Sequence, residues 1–407
     1  MDILEKTLNR IQLDLARRIS VSSHNLNIKT YLVGGSARDV LLGHVPVDLD
    51  FTVVSDDPNI LKVLSSDIGG VIVSSSQFHT VKMDVAGIVI DVSMARKETY
   101  KDPGCLPDIS LGVPIEEDLF RRDFSINAIA LSINNYEWGK IIDPGGGNSD
   151  IGIRSLKILH EASFIDDPTR ILRAVRYLVR LNCSLEYRTD ILFREGLKYL
   201  QLVSPHRTRR EFDRNLAEIN ISQILRESHD RGVLSSVHPS LNLNKQLYSA
   251  LNSLDYLLRP SNDAIYAALT FDSTESLRND LGNRLDLNSK LKTVLNQVGE
   301  IKSLFHIFSD TAIKPVEIWS RLKNFDISAI RGCSLSLSNT VVKKALDLYI
   351  QDLRDIKPML NGKDLIDMGI NPGPDVGDTL NSLTEARLEG KILSLKDEKE
   401  YILSLDN

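Results

Sequence analysis

The reading of the fold turns on Tyr31-Leu-Val-Gly-Gly-Ser-Ala-Arg-Asp-Val-Leu-Leu-Gly43, followed shortly by Val47-Asp-Leu-Asp-Phe-Thr-Val53. A β-branched run gives way to two adjacent glycines and then to a short helical pattern that stops at Gly43. Paired glycines let a backbone approach a ligand closely, and their N–H groups can point at a phosphate. The helix that follows adds the partial positive charge of its N-terminus. Arg38, expected in the first turn, can reach the same anion. Asp48 and Asp50 are two residues apart on an expected strand, so their carboxylates point the same way. Such a pair repels itself unless a cation sits between them. Hard oxygen donors in that number suit Mg²⁺ shared between protein and substrate phosphate. Two metal ions there would activate an attacking hydroxyl and stabilise a leaving pyrophosphate. Gly-Gly alone is usually a turn, and Asp-x-Asp alone is often an exposed edge. With Arg38 and Asp39 between them, the combination is far more specific.

Working outward, the stretch from Thr30 to Asp143 reads as strands mixed with short helices: YLVGG, VDLDFTVV, GGVIVSSS, HTVKMDVAG and IVIDVSMA are β-branched runs bounded by Gly, Asp and Pro. KETYKDPGCLPDISLGVP (97–114) reads as a loop leading into a helix near Ile115. After IIDPGGGNSD the strand signals nearly vanish. Leu and Ile then recur at helical spacing, broken at Val203-Ser204-Pro205, Arg259-Pro260 and Lys357-Pro358. The expected fold class is α+β, with an N-terminal mixed α/β head over 1–143 and an all-helical remainder. The remainder divides into a neck over 144–220, a body over 221–310 and a tail over 311–407.

Composition narrows the function. The 407 residues are 42% apolar and 26% charged, the balance of an ordinary globular chain. A net charge of −6 excludes a globally basic coat, so any polyanion must be gripped by local patches. Cys105, Cys183 and Cys333 are odd in number and far apart, which offers neither a disulfide framework nor a zinc site. The N-terminus is charged and periodic, unlike a signal peptide, and no apolar run is long enough to span a bilayer. A cytoplasmic location without a membrane partner is expected.

Two further segments carry candidate chemistry. Glu117-Asp-Leu-Phe-Arg-Arg-Asp-Phe-Ser-Ile-Asn-Ala-Ile-Ala130 reads as the start of an amphipathic helix in which Arg121, Arg122, Asp123 and Asn127 crowd together. Phe124, Ile126, Ile129 and Ala130 demand burial beside them, which argues against a merely solvated face. In Ile165-Asp-Asp-Pro-Thr-Arg-Ile-Leu-Arg-Ala-Val-Arg-Tyr-Leu-Val-Arg180, Pro168 fits the first helical position and Asp167 the N-cap. Arg170, Arg173, Arg176 and Arg180 follow on one broad face. They repel one another unless an anion is shared, which favours a nucleotide or RNA. Asp167 and Arg170 form an acceptor–donor pair suited to the Watson–Crick edge of a base. Simple capping competes for the same carboxylate.

In this order the segments resemble the class II tRNA nucleotidyltransferase/poly(A) polymerase family. GGSARDVLLGHVPVDLDF is similar to its motif A, which implies metal binding at Asp48 and Asp50 and a triphosphate cradle of Gly34, Gly35 and Arg38. IDVSMAR resembles the acid-led strand that follows, with Asp91 as a possible third acid. EEDLFRRDFSINAIA resembles motif B, with Ser125 in place of the usual threonine; Arg121, Arg122 and Asp123 would handle ribose and phosphates, and Asn127 belongs to the motif. DPGGGNSDI, beginning at Asp143, is similar to the hinge motif C. DDPTRILRAVR resembles motif D, which implies that Asp167 and Arg170 act as an amino-acid template for CTP or ATP, with Arg173 and Arg176 as further nucleotide contacts. Its usual leading Glu is Asp166 here. VSPHRTRREF resembles the helix-stabilising motif E through Ser204, Arg207 and Glu211. The stretch Leu360–Gly377 resembles a C-terminal element of many of these enzymes: a short helix stopped by Gly369, a Pro/Gly turn, and a second helix ending at Gly390. An RNA-phosphate site at the start of that second helix and an ordinary helical hairpin are equally open readings.

The resemblance implies addition of C and/or A to the tRNA 3′ end from CTP and ATP, with Mg²⁺ as cofactor and pyrophosphate released. An A-adding or CC-adding specialist is an open alternative. A poly(A) polymerase is disfavoured because VIVSSSQFHTVKM lacks that group's basic cluster. A non-catalytic RNA-binding module is disfavoured by the intact Asp48/Asp50 pair.

Overall fold

The computed structural model describes residues 2–254 and 258–405. The chain divides into two compact units, Met1–Asn215 and Leu216–Asn407. Among the described residues no helix is long and apolar enough to cross a membrane.

The first unit is built on a seven-stranded mixed sheet. Its strands are β1 (Lys29–Val33), β2 (Asp50–Val54), β3 (Val71–Ser76), β4 (Thr80–Val85) and β5 (Ile88–Met94). A separate hairpin of β6 (Arg96–Thr99) and β7 (Asp108–Leu111) follows, and β8 (Ala130–Ser132) and β9 (Ile141–Ile142) complete the main sheet. The sheet order is β3-β4-β5-β2-β1-β8-β9. Only β2 and β5 run parallel, in a register that sets Asp50 opposite Asp91.

One face of the sheet is covered by α1 (Arg10–Asn25), α2 (Gly34–Leu41) and α3 (Ile60–Asp67). Asn9 caps α1 in a reciprocal capping box with Gln12. Leu15, Ala16 and Ile19 of α1 join Ala37, Val40, Leu61 and Leu64 over Leu32, Phe51, Met83, Ile90 and Val92 in one buried cluster. Full burial of a side chain such as Phe51 contributes roughly 2–3 kcal/mol. On the opposite face Tyr31, Val33 and Ala130 pack with Ile115 and Leu119 of α4 (Ile115–Phe120). An aromatic relay then joins head to neck: Phe124 meets Tyr177 edge-on at 5.9 Å, and Phe164 meets Phe193 at 5.7 Å. Tyr177 lies on the motif D helix, α5 (Thr169–Arg180), and α6 (Pro205–Leu216) closes the unit.

Four expectations are corrected here. Asp48 lies outside β2, because Ser36 Oγ accepts the Asp50 N–H at 2.8 Å and donates to the Asp48 carbonyl at 2.9 Å, taking groups a ladder would use. Residues 97–114 are no plain loop: Pro103, Gly104 and Pro107 fall in the connection, and Arg96–Thr99 pairs with Asp108–Leu111. The helix expected through 117–130 stops at Phe120. The Asp123 carboxylate there accepts the Phe124 N–H at 2.8 Å, and the Ser125 N–H turns to the Lys157 carbonyl at 2.8 Å. Finally, α5 begins at Thr169, one residue beyond the expected Pro168.

The second unit is helical throughout its described residues. Helix Ile327–Ser336 packs against Asn262–Leu269 at Gly332, where a Cβ would lie 2.5 Å from Ala267 Cβ and 2.8 Å from the Ala264 carbonyl oxygen. The tail has its own core of Leu360, Leu365, Leu383, Ala386, Ile392 and Ile402. Its helices are Gly362–Asp367, Pro374–Leu388 and Leu395–Leu405, with Gly369 and Gly390 both at positive φ after the first two. The third helix has no counterpart in the sequence reading. Its Glu398, with no exposed surface, accepts the Met359 and Leu360 N–H groups and pairs with Arg387.

Gly332→Ala forces a backbone contact to open. It should cost about 1–3 kcal/mol, read as a lower urea midpoint. An unchanged midpoint would refute the close packing.

Candidate active site

Glycine is required at position 34 twice over. Its φ is +65°, and a Cβ there would lie 3.2 Å from Arg122 Nη1 and 3.7 Å from Asp50 Oδ2. The turn therefore brings bare backbone between a cation and a carboxylate at the floor of a cleft of about 470 Å³. Gly34, Gly35, Ser36, Arg38, Asp48 and Asp50 line it from the head. Arg121, Arg122, Asp123 and Asn127 line it from the motif B turn, and Asp167, Arg170, Arg173, Tyr177 and Arg180 from the neck. Segments more than a hundred residues apart thus share one wall. Arg176 and Asp91 are not among the lining residues.

Most of the arginines are held by buried carboxylates. Asp118, wholly buried, accepts from Arg121 Nε at 2.9 Å, Arg122 Nη2 at 2.9 Å and the Arg96 N–H at 3.1 Å. Burial pushes its carboxyl up, but Arg121 and Arg122 outweigh that and hold it below the usual carboxylate range. Glu98 joins Arg121 at 3.0 Å and Arg96 at 2.9 Å, and accepts the Tyr100 hydroxyl at 2.8 Å. Asp123 takes Arg173 at 2.6 and 2.8 Å and the Asn127 amide at 3.1 Å. Arg38, 4% exposed, donates to Asn127 Oδ1 at 2.6 Å and to Asp39 at 2.8 Å. Arg176 donates to Glu211 and Asn215, each at 2.7 Å. The repulsion expected along the α5 stripe is thus relieved in part by Asp123 and Glu211, without an external anion.

The remaining motif residues organise this frame. Asp143 accepts the Gly147 and Asn148 N–H groups at 2.7 and 2.8 Å, opening the short helix Gly147–Gly152. The Ser204 carbonyl accepts the Thr208 N–H at the start of α6. Glu211 also pairs with Arg214 at 2.6 Å, and Arg207 with Asp167 at 2.8 Å. Arg170 is fixed by Ser163 Oγ and the Arg121 carbonyl, each at 2.6 Å. Ser36, Glu98, Tyr100 and Asp118 escaped the sequence reading. Only Ser36 had a signal, its place directly after the glycine pair.

Asp48 and Asp50 stand apart from this neutralised lattice. Burial raises the Asp50 carboxyl to about 6, with Asp91 and Asp48 adding repulsion against the pull of Arg122 and Ser36. Among the described residues its side chain accepts only a long 3.4 Å contact from Ser36. Asp91 is paired with Lys82 at 2.9 Å. Among the described residues no group of three or more His, Cys, Asp or Glu could hold a metal ion. Asp48 and Asp50 both line the cleft, and two carboxylates suit a divalent cation that takes its other oxygens from water and phosphate.

Asp50→Asn should stabilise the metal-free protein. A folded-state value near 6 against 3.8 unfolded means the folded state holds the proton longer, so stability falls as pH rises between those values. Above pH 6 the penalty is at most about 3 kcal/mol. In chelator the variant's thermal midpoint should exceed the parent's at pH 7.5 and lose that advantage below pH 4. Equal midpoints at pH 7.5 would count against the uncompensated charge.

Residues 30–157 match the family described as Poly A polymerase head domain. The A-adding tRNA nucleotidyltransferase of Geobacter sulfurreducens is 27% identical over 99% of this chain, which spans 48% of that protein. The chain therefore covers about half the length of that relative. The CC-adding tRNA nucleotidyltransferase of a Synechocystis species is also 27% identical, over 96% of this chain and 97% of its own. A solved structure of a CCA-adding enzyme in an apo form superposes with a TM-score of 0.83 at 24% identity, covering 99% of both chains. Residues 30–157 thus match a poly(A) polymerase head domain, and along nearly its whole length the chain is similar to tRNA nucleotidyltransferases.

Proposed function

We propose that the chain is a tRNA nucleotidyltransferase that adds C and/or A to the tRNA 3′ end from CTP and ATP. The observation that carries this reading is one cleft lined by the glycine turn, the Asp48/Asp50 pair, the motif B arginines and the Asp167–Arg170 helix start. The family generally works with a divalent metal. Asp48 and Asp50 would hold it as Mg²⁺, which when bound lowers the pKa of the primer hydroxyl and neutralises phosphate charge.

The chain's own residues supply placement. Gly34 and Gly35 offer backbone N–H groups at the start of α2, and Arg122 stands over Gly34 to meet the triphosphate. Arg121 and Arg122 are pre-set by Asp118, so little side-chain entropy is lost when phosphates arrive. Asp123, Asn127 and Arg38 form a braced wall for the ribose. Asp167, just before α5, and Arg170, in its first turn, meet the base. The primer 3′-oxygen forms a bond to the α-phosphorus as the α–β bridging oxygen leaves with pyrophosphate. Fixed guanidinium groups stabilise the charge that develops.

Supplying tRNA ending at the discriminator base, at one C or at two Cs, with CTP, ATP or both, reads the specificity directly. A full CCA enzyme extends all three, a CC-adder only the first two, and an A-adder only the last. No incorporation into any of them overturns the reading. Asp48→Ala should lower incorporation by at least three orders of magnitude with tRNA binding retained. Ordinary turnover in that variant removes the metal assignment.

A further inference from the structure

The Arg207 guanidinium reaches in two directions, with Nη1 also making a long 3.5 Å contact to the Cys105 carbonyl. Nη2 donates to Asp167 Oδ1 at 2.8 Å, and Nη1 donates to the Gly104 carbonyl at 2.7 Å, in the connection of the β6–β7 hairpin. Asp167 Oδ1 also receives the Thr169 N–H at 3.1 Å and the Thr169 hydroxyl at 2.5 Å. Among the described residues, its donors all converge on this one oxygen. Among the described residues no hydrogen bond reaches Oδ2, although Asp167 lines the cleft. The hairpin connection is tied to the same place by its backbone, since the Gly104 N–H donates to the Ile165 carbonyl at 3.2 Å. Gly104 sits at φ +74°, and a Cβ there would lie 3.3 Å from the Leu202 carbonyl carbon. The connection therefore has little room to shift.

A carboxylate anchored through one oxygen offers the other as an acceptor of fixed direction. Cytosine at C4 and adenine at C6 present an exocyclic amine at one end of the pairing edge, where uracil and guanine present a carbonyl. An acceptor fixed in direction favours the amine and repels the carbonyl; a carboxylate free to turn discriminates less, because it can swing away from the mismatched base. We propose that Arg207 is a positioning residue for nucleotide selection. By binding Asp167 Oδ1 and the Gly104 carbonyl together, it aims Oδ2 at the incoming base and keeps the hairpin connection beside it. The inference rests on the reading of Asp167 as a base contact. It gives Arg207 a part in specificity beyond stabilising the neck helix.

The test uses the full chain and tRNA, comparing kcat/KM for ATP and CTP with that for GTP and UTP. Binding of each nucleotide is measured separately, and the thermal midpoint is followed as a control on folding. Arg207→Met should lower discrimination about tenfold or more, the range expected for losing a charge-assisted bond. The loss should show as weaker binding of ATP and CTP and freer use of GTP and UTP. Arg207→Lys keeps the charge, but a single ammonium does not reproduce the fork to both acceptors, so it should fall between parent and Met variant. If the Met variant unfolds, the Lys variant decides, and parent-like discrimination there overturns the bridging role. Asp167→Ala separates the two levels. If it destroys discrimination while Arg207→Met keeps it, the role of Arg207 is wrong and the base contact stands. If Asp167→Ala itself discriminates normally, the base-contact reading fails.

Discussion

Asp118 has no exposed surface, and its carboxylate gathers donors from Arg96, Arg121 and Arg122. A buried charge of this kind is tolerable only when its partners satisfy it fully, and the partners are then as constrained as the acid. The motif B chain leaves its helix at Phe120 so that both arginines can turn back onto Asp118. That turn sets the Arg121 carbonyl where Arg170 finds it, and Arg170 ties the neck helix to the head. Asp123 continues the alternation to Arg173, and Glu211 continues it to Arg176. The cleft wall is a lattice of alternating signs, and its shape follows from the need to leave none of these buried charges unpaired.

Against that lattice Asp48 and Asp50 are the exception. Among the described residues no ion pair closes either of them off; Arg122 only partly offsets the charge of Asp50, and a like charge, Asp91, lies on the neighbouring strand. A site that is electrostatically unfinished by itself is completed by what it binds. The net negative charge of the chain takes on meaning at this scale. Many acids are internal counter-ions for cations that line one cavity, so the global balance says little about the field inside it.

The sequence made parts of this legible and hid others for physical reasons. The glycine pair, the two aspartates and the β-branched runs announce themselves because their signals are local. Asp118 looked like one of several acids in a helix first turn, and Glu98 like one charge in a loop. Their roles come from partners brought by the fold, such as Arg121 for Glu98, which no local pattern encodes. The β6–β7 hairpin was hidden because its prolines and glycine mark the connection strongly and its four-residue strands only weakly. The arginine stripe was seen, but its counter-ions Asp123 and Glu211 lie on other segments, so an outside anion seemed necessary. For Asp167 the local sequence shows the cap but not the partner brought by the fold, Arg207. One oxygen binds Thr169 and Arg207, and the other is left over.

The tail's separate core has a consequence for how this chain can change. Leu360, Leu383 and Ile402 pack with one another, and Glu398 binds the entering backbone at Met359 and Leu360. The cohesion of that segment is thus written within its own last fifty or so residues. Such a segment can be exchanged, lengthened or allowed to drift as a cassette while the catalytic head keeps its sequence. A lineage could vary this segment without altering the residues that line the cleft.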